Sequence, residues 1–360
     1  MKNILRFSSF ATILALNIIS CKSTTGPVIP ASNSGDQLFF DVTTGPDSTQ
    51  FGVHVINIDG TGEKLLYLRG RITSAPRAGK LVFMRFSSGK NEDTTTFYLG
   101  DVSGSTEQKL FSMEERADFA ILSPDGQKII YDDSANQINT FDISTHSQLG
   151  LAQHMELGSI LPIISDDSKT IYAVFNSPQG LFSMDINETN PKLVTSDGIE
   201  YLTASEEHQM FDLSPDGSKL CYFLNMKGIQ LQVNDILPST SVIDTSNYGL
   251  TDAVTWSPKG DKIAFAFSNE ASYSNEGIAI YDISLKKTSI FSGLQLGNSQ
   301  AVENIEWSKD GNSLFIVIFD HNSYSSKIVL MDANTGSNST LKTGGAKLGY
   351  AFRSRNIGEH

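Results

Sequence analysis

The chain has 360 residues, with 40 Asp and Glu against 27 Lys and Arg, and a formal net charge of −13. No cluster of basic residues is present, which excludes the electrostatic footprint of a nucleic-acid binder and a surface built to dock on anionic lipid headgroups. Of the two cysteines, Cys21 and Cys221, only the second lies inside the folding region, so no intramolecular disulfide can staple the fold.

In chain order the first element is a leader. Lys2 and Arg6 precede a mostly apolar run from Phe7 to Ile19, too short to span a bilayer and typical of a secretory signal. Ile18-Ile19-Ser20-Cys21 follows at once. An aliphatic residue, a free position, a small residue and a cysteine resemble the lipobox of bacterial lipoproteins. That resemblance implies cleavage between Ser20 and Cys21, and a diacylglycerol thioether on the Cys21 thiol. Two or more acyl chains anchor a protein stably where one does not. Residues 1–20 are therefore expected to be a lipoprotein signal peptide.

Residues 21–34 (CKSTTGPVIPASNS) have no hydrophobic periodicity and read as a flexible tether. Fully extended, the tether reaches at most about 50 Å. The expected location is the bacterial cell envelope, lipid-anchored. Lys22 follows the cysteine where an inner-membrane retention signal has an acidic residue, which favours the outer membrane, on its periplasmic or surface face.

Residues 35–360 are one repeat array. Ser123-Pro124-Asp125-Gly126 precedes Lys128-Ile129-Ile130-Tyr131, and Ser214-Pro215-Asp216-Gly217 precedes Lys219-Leu220-Cys221-Tyr222. Ser257-Pro258-Lys259-Gly260 and Ser308-Lys309-Asp310-Gly311 open two further copies, and looser ones start at Ser74, Ser165 and Ser354. A period of roughly 40–50 residues marks a β-propeller with one blade per repeat. In each turn Pro presets φ, Asp bonds the local backbone and Gly takes positive φ.

A first strand ends at each serine, as in Phe211 to Leu213 and Asn304 to Trp307. The second strand follows the turn, as in Lys80 to Phe83. The third runs to an Asp that turns the chain, as in Asn139-Thr140-Phe141 before Asp142. The fourth closes the blade, as in Lys64 to Leu68 and Lys192 to Thr195. Gln37 to Phe40 looks like a second strand lacking a first, and Tyr350 to Ser354 like a first strand lacking a blade. The two are expected to pair and seal the ring, removing an open edge. The expected fold is thus all-β: a seven-bladed β-propeller of four-stranded antiparallel blades, closed by the C-terminal strand on the N-terminal blade. Cys221, inside a strand, is expected to be a buried thiol.

At these residues the chain resembles the TolB-type, WD-repeat-like propeller repeats of bacteria. The resemblance covers nearly everything after residue 34 and is specific for fold, not function. It implies six blades and a preceding α/β domain in TolB itself, where this chain has seven repeats and a tether. No hydrolase domain and no Gly-x-Ser-x-Gly elbow accompany the repeats.

For function, the connections between second and third strands and between fourth and next first strands share one rim. That rim carries Tyr201, Tyr248, Tyr273 and Tyr324, candidates for contact with a protein or an envelope polymer. It also carries His154, His208 and His321, a candidate set of metal ligands if three blades bring them together. No shared spacing links them, and no cofactor fingerprint occurs. The favoured expectation is a binding module without catalysis and without cofactor. The alternative is a metal-assisted polysaccharide lyase or hydrolase using the rim histidines.

Overall fold

The repeat turns are built as their residue types demand. In the computed structural model Ser123 Oγ donates to Asp125 Oδ1 (2.6 Å) and accepts from Lys128 N (2.9 Å), while Gly126, at φ 69°, donates to the Ser123 carbonyl (2.8 Å). The same serine geometry recurs at Ser165, Ser214 and Ser308. In the Ser257 turn, Lys259 stands where Asp is usual, and Ser257 Oγ donates to Asp261 instead (2.7 Å). The serine hydroxyl thus ties turn to strand, and the carboxylate holds the hydroxyl.

The structure describes residues 37–343, apart from 44–47, 89–92, 134, 159–160, 197–210, 225–227, 234–240, 245–252, 270–273, 295 and 298, together with 348 and 352–353. The leader, Cys21 and the tether lie outside the described residues.

Seven antiparallel sheets follow one another along the chain. The first contains β1 (Gln37–Val42), β2 (Gly52–Asn57) and β3 (Lys64–Leu68). The second contains β4 (Lys80–Ser88), β5 (Asp93–Asp101) and β6 (Glu107–Met113). The third contains β7 (Ala120–Leu122), β8 (Lys128–Asp132), β9 (Ile138–Asp142) and β10 (Gln148–Gly150). In the fourth, β11 (Glu156–Leu157) and β12 (Ile163–Ile164) share the inner position beside β13 (Thr170–Ser177), with β14 (Gln179–Asp185) and β15 (Lys192–Thr195) outside.

The fifth contains β16 (Phe211–Leu213), β17 (Lys219–Leu224), β18 (Gly228–Val233) and β19 (Ser241–Asp244). The sixth contains β20 (Val254–Trp256), β21 (Lys262–Asn269), β22 (Ser274–Asp282) and β23 (Lys287–Phe291). The seventh contains β24 (Gln300–Trp307), β25 (Ser313–Asp320), β26 (Ser325–Asp332) and β27 (Asn338–Lys342). Among the described residues there is no α-helix; a 3-10 turn, Ser48–Gln50, is the exception to strand and loop.

The last strand, β28 (Phe352–Arg353), pairs antiparallel with β1, Phe352 opposite Phe39 and Arg353 opposite Leu38, and a bridge from Leu348 to Val42 extends the contact. The C-terminal segment therefore joins the N-terminal sheet, as the two orphan strands of the sequence required.

The expectation of seven equivalent four-stranded blades is met by five of the sheets; the fourth has five strands and the second has three. Its would-be first strand makes a single bridge, Arg71 to Met84. The reason is a contact with the next sheet. Thr73 Oγ1 instead donates to the Ala120 carbonyl and accepts from Ala120 N, both at 2.9 Å, so this segment is drawn to the neighbouring sheet.

The interior lies between sheets rather than within them. Val82, Met84, Phe97 and Leu99 of the second sheet pack with Leu122, Ile129, Tyr131 and Phe141 of the third. Phe315, Val317 and Ile328 of the seventh pack with Leu38, Phe40 and Ile56 of the first. A four-stranded sheet has too little area to be stable alone and gains its burial from its neighbours. Cys221 is buried in such a contact, a free thiol that burial pushes well above its ordinary pKa.

Candidate functional site

The innermost strands point alternate side chains away from the sheets and into the space they surround. The residue two positions before six of the seven repeat serines takes this direction. Ile121, Ile163, Asp212, Glu306 and Phe352 line a cavity of about 130 Å3. A smaller cavity of about 60 Å3 shares Ile163, Asp212 and Glu306 with it and adds Thr255. Together they form the mouth of a central channel beside the repeat turns, with Pro124, Pro215 and Pro258 in the wall.

The channel has two faces. Asp212, Thr255 and Glu306 come from three consecutive sheets and make a polar, acidic arc. Ile163, Ile121 and Phe352 make an apolar arc. The second sheet has no inner strand to contribute; Ile72 in that sheet is core, and Thr73 and Ser74 line the channel instead. This sheet's turn contains Arg77, whose guanidinium reaches the channel 3.7 Å from the Asp166 carboxylate.

Asp212 is fixed by its neighbours. Its Oδ2 accepts from Trp256 N (2.7 Å) and Thr255 Oγ1 (3.1 Å), and its Oδ1 from Leu213 N (2.9 Å). Trp307 Nε1 donates to the Thr255 carbonyl (3.3 Å), so the acidic arc is laced across three sheets. Glu306 is 4% exposed. Asn304, 2% exposed, also lines the larger cavity, and its Oδ1 has no hydrogen-bond partner among the described residues. A β-bulge between Val302 and Asn304 on β24 sets its direction, the device by which strands re-aim side chains near sites.

The rim residues expected from the sequence are only partly placed. Tyr201, Tyr248, Tyr273 and His208 lie outside the described residues. Tyr324 is 73% exposed at the β25–β26 turn, with φ 49° and its ring 6.2 Å from Phe319. His321 makes an edge contact with the same Phe319 ring at 4.9 Å. His154 is exposed between β10 and β11, with φ 67°. Among the described residues no group of three His, Cys, Asp or Glu side chains could hold a metal ion.

Sequence reading passed over Arg77, Asp212, Asn304 and Glu306. For Asp212 and Glu306 the signal was there: the position two before each repeat serine holds Ile, Asp, Thr, Glu or Phe, although it is equivalent in every repeat.

No protein-family model matches the chain, and no curated protein does. Among solved structures, TolB from Acinetobacter baumannii is similar with a TM-score of 0.51 at 14% identity, over 89% of this chain and 66% of that one. Oligogalacturonate lyase from Vibrio parahaemolyticus is similar with a TM-score of 0.57 at 12% identity, over 86% of this chain and 87% of that one. At such identities the likeness is one of fold. Together with the repeat turns and the terminal pairing, it makes the fold a β-propeller.

Proposed function

We propose that this protein is a binding module of the bacterial envelope, lipid-anchored at Cys21, which holds a protein partner at its channel mouth without catalysis. In this reading the three-stranded sheet serves as a blade of a seven-bladed ring. The observation that carries the reading is the two-faced channel, with an acidic arc on a rigid frame facing an apolar one. A side chain fixed before binding loses little conformational entropy on binding, and the Asp212 bonds supply that fixation.

The anchor is tested by labelled palmitate. Wild type should incorporate it and fractionate with membranes; Cys21→Ser should do neither, and equal labelling of both would remove the anchor from the reading. The module is tested by cross-linked capture from envelope extracts with wild type and with Glu306→Gln. Loss of a captured component in the variant supports the channel as the site. Identical capture by both moves the partner elsewhere.

A further inference from the structure

We infer that Asn187 is an acceptor site for an N-linked glycan, transferred from a lipid-diphosphate-linked oligosaccharide. The inference goes beyond the binding module and does not depend on the channel. Two Asn-x-Ser/Thr triplets occur in the chain, Asn187-Glu188-Thr189 and Asn338-Ser339-Thr340. That pattern marks such an acceptor in an exported protein. A triplet alone is a weak signal, but the two stand in different local structures.

Asn187 lies in the connection between β14 and β15, outside the ladder, and Asn187, Glu188 and Thr189 are all exposed. The turn is pinned at its start. Ile186 N donates to the Lys169 carbonyl (2.8 Å), and Glu188 N donates to the Asp185 carbonyl (3.2 Å). Asp185 Oδ1 accepts from Asn187 N (2.8 Å) and from Asn187 Nδ2 (3.3 Å). The reacting amide is thus held by a carboxylate two residues earlier, on a loop that a transferase can grip without breaking a strand pair. Asn338 is held otherwise. It lies in β27 opposite Met331, and its Nδ2 donates to the carbonyls of Gly293 and Gly336, both at 3.3 Å. Freeing that amide gives up both hydrogen bonds and disturbs the ladder, and the residue two before it is Gly336, without a carboxylate.

A glycan at Asn187 would also protect this sheet. β15, which follows the loop, is the outermost strand and carries Leu193, 56% exposed. A sheet edge with an exposed apolar residue invites pairing with other chains, and a bulky, solvated glycan at its start opposes that. In the transfer, Asn187 Nδ2 attacks the anomeric carbon of the first sugar. The N–C bond forms as the C–O bond to the diphosphate breaks. The electron pair leaves with the lipid diphosphate, and Nδ2 gives up one proton to a base of the transferase. The pattern requires a hydroxyl two residues on, which Thr189 supplies.

The test is peptide mass spectrometry of the full chain recovered from the cells that encode it, with variants expressed in the same cells. Wild type is expected to carry a glycan mass on the peptide containing Asn187 and none on that containing Asn338. Asn187→Gln and Thr189→Ala should lose it, and Asn338→Gln should keep it at the wild-type level. Thr189→Ser should keep it too, which separates loss of the acceptor from loss of the fold. In timed transfer to the folded, unmodified chain by an oligosaccharyltransferase supplied with a lipid-diphosphate-linked oligosaccharide, Asp185→Ala should react about tenfold more slowly than wild type. Wild type recovered without a glycan mass, or a glycan mass retained by Asn187→Gln, would overturn the inference. Modification at Asn338 in place of Asn187 would overturn it as well, and an unchanged rate for Asp185→Ala would remove Asp185 from the site.

Discussion

Lys342 Nζ lies 2.7 Å from both carboxylate oxygens of Glu63, 279 residues earlier in the chain. The pair ties β27 of the seventh sheet to the loop before β3 of the first. Glu63 Oε1 also lies 3.1 Å from Nδ1 of His54, which is 3% exposed, and His54 Nε2 donates to the Gln50 carbonyl (2.7 Å). Phe40 stacks on His54 at 5.5 Å and has Lys342 over its ring at 5.6 Å. The seam between the last and first sheets thus has a polar clasp beside its apolar contact.

The two partners of this clasp should not be equivalent. Lys342→Met removes a partly exposed ion pair, worth about 1 kcal/mol or less. Glu63→Gln disturbs both Lys342 and the buried His54, and should cost about 2 kcal/mol. Urea unfolding of the two variants measures this. Equal losses would show that His54 does not depend on Glu63.

Ring closure itself gives a larger effect. Removing residues 347–360 deletes β28 and the Leu348 bridge and exposes the β1 edge together with the buried Leu38 and Phe39 that pair with it. The truncated chain should melt far below the parent or aggregate through that edge. Calorimetry decides; a melting curve equal to the parent's would mean that the terminal pairing contributes nothing.

Asp132 sets a pH dependence. It is 3% exposed and accepts from Asp118 N (2.9 Å) and Phe119 N (3.0 Å). Burial, reinforced by the Asp118 charge and opposed by those bonds, pushes its carboxyl up to about 7. In the unfolded chain it titrates near about 3.9. The folded state therefore favours the protonated form. Its contribution is fully present below about pH 4 and is lost as the pH rises through about 7. Asp132→Asn keeps the acceptor and removes the charge, so the variant should melt a few degrees above wild type at pH 8, and alongside it at pH 4. The same difference at both pH values would contradict this account.

The turn chemistry predicts coupling. Ser257 Oγ donates to Asp261 and accepts from Lys262 N (3.0 Å). Ser257→Ala and Asp261→Ala should each cost about 1 kcal/mol, and the double variant less than their sum. Strict additivity in denaturant midpoints would show that the two side chains act separately.

Much of the fold was legible in the chain. The repeat serines located the inner strands that end at Leu122, Ile164, Leu213, Trp256 and Trp307, though not β11, and Lys64–Leu68 and Lys192–Thr195 were placed to the residue, because turn residues act within a few positions of themselves. The Asp142 turn was readable for the same reason: Oδ1 accepts from the Ser144 hydroxyl (2.7 Å), Ser144 N (3.0 Å) and Thr145 N (2.9 Å), and the Ser144 hydroxyl, then Thr145 N and the Lys128 ammonium, hold the carboxyl well below its usual range. The missing first strand of the second sheet was not readable. What replaces it is a bond from Thr73 to Ala120, between residues brought together only by the ring.

By itself, then, the sequence determined the repeat, the antiparallel blade and the pairing of its two ends, since each follows from local turn chemistry and from strands that need partners. Tertiary structure alone decided the channel. Arg77 and Asp166, or Asp212 and Thr255, are neighbours only after separate sheets converge on one axis. Which side of the channel is acidic depends on the cyclic order of the sheets, and no local rule contains that order.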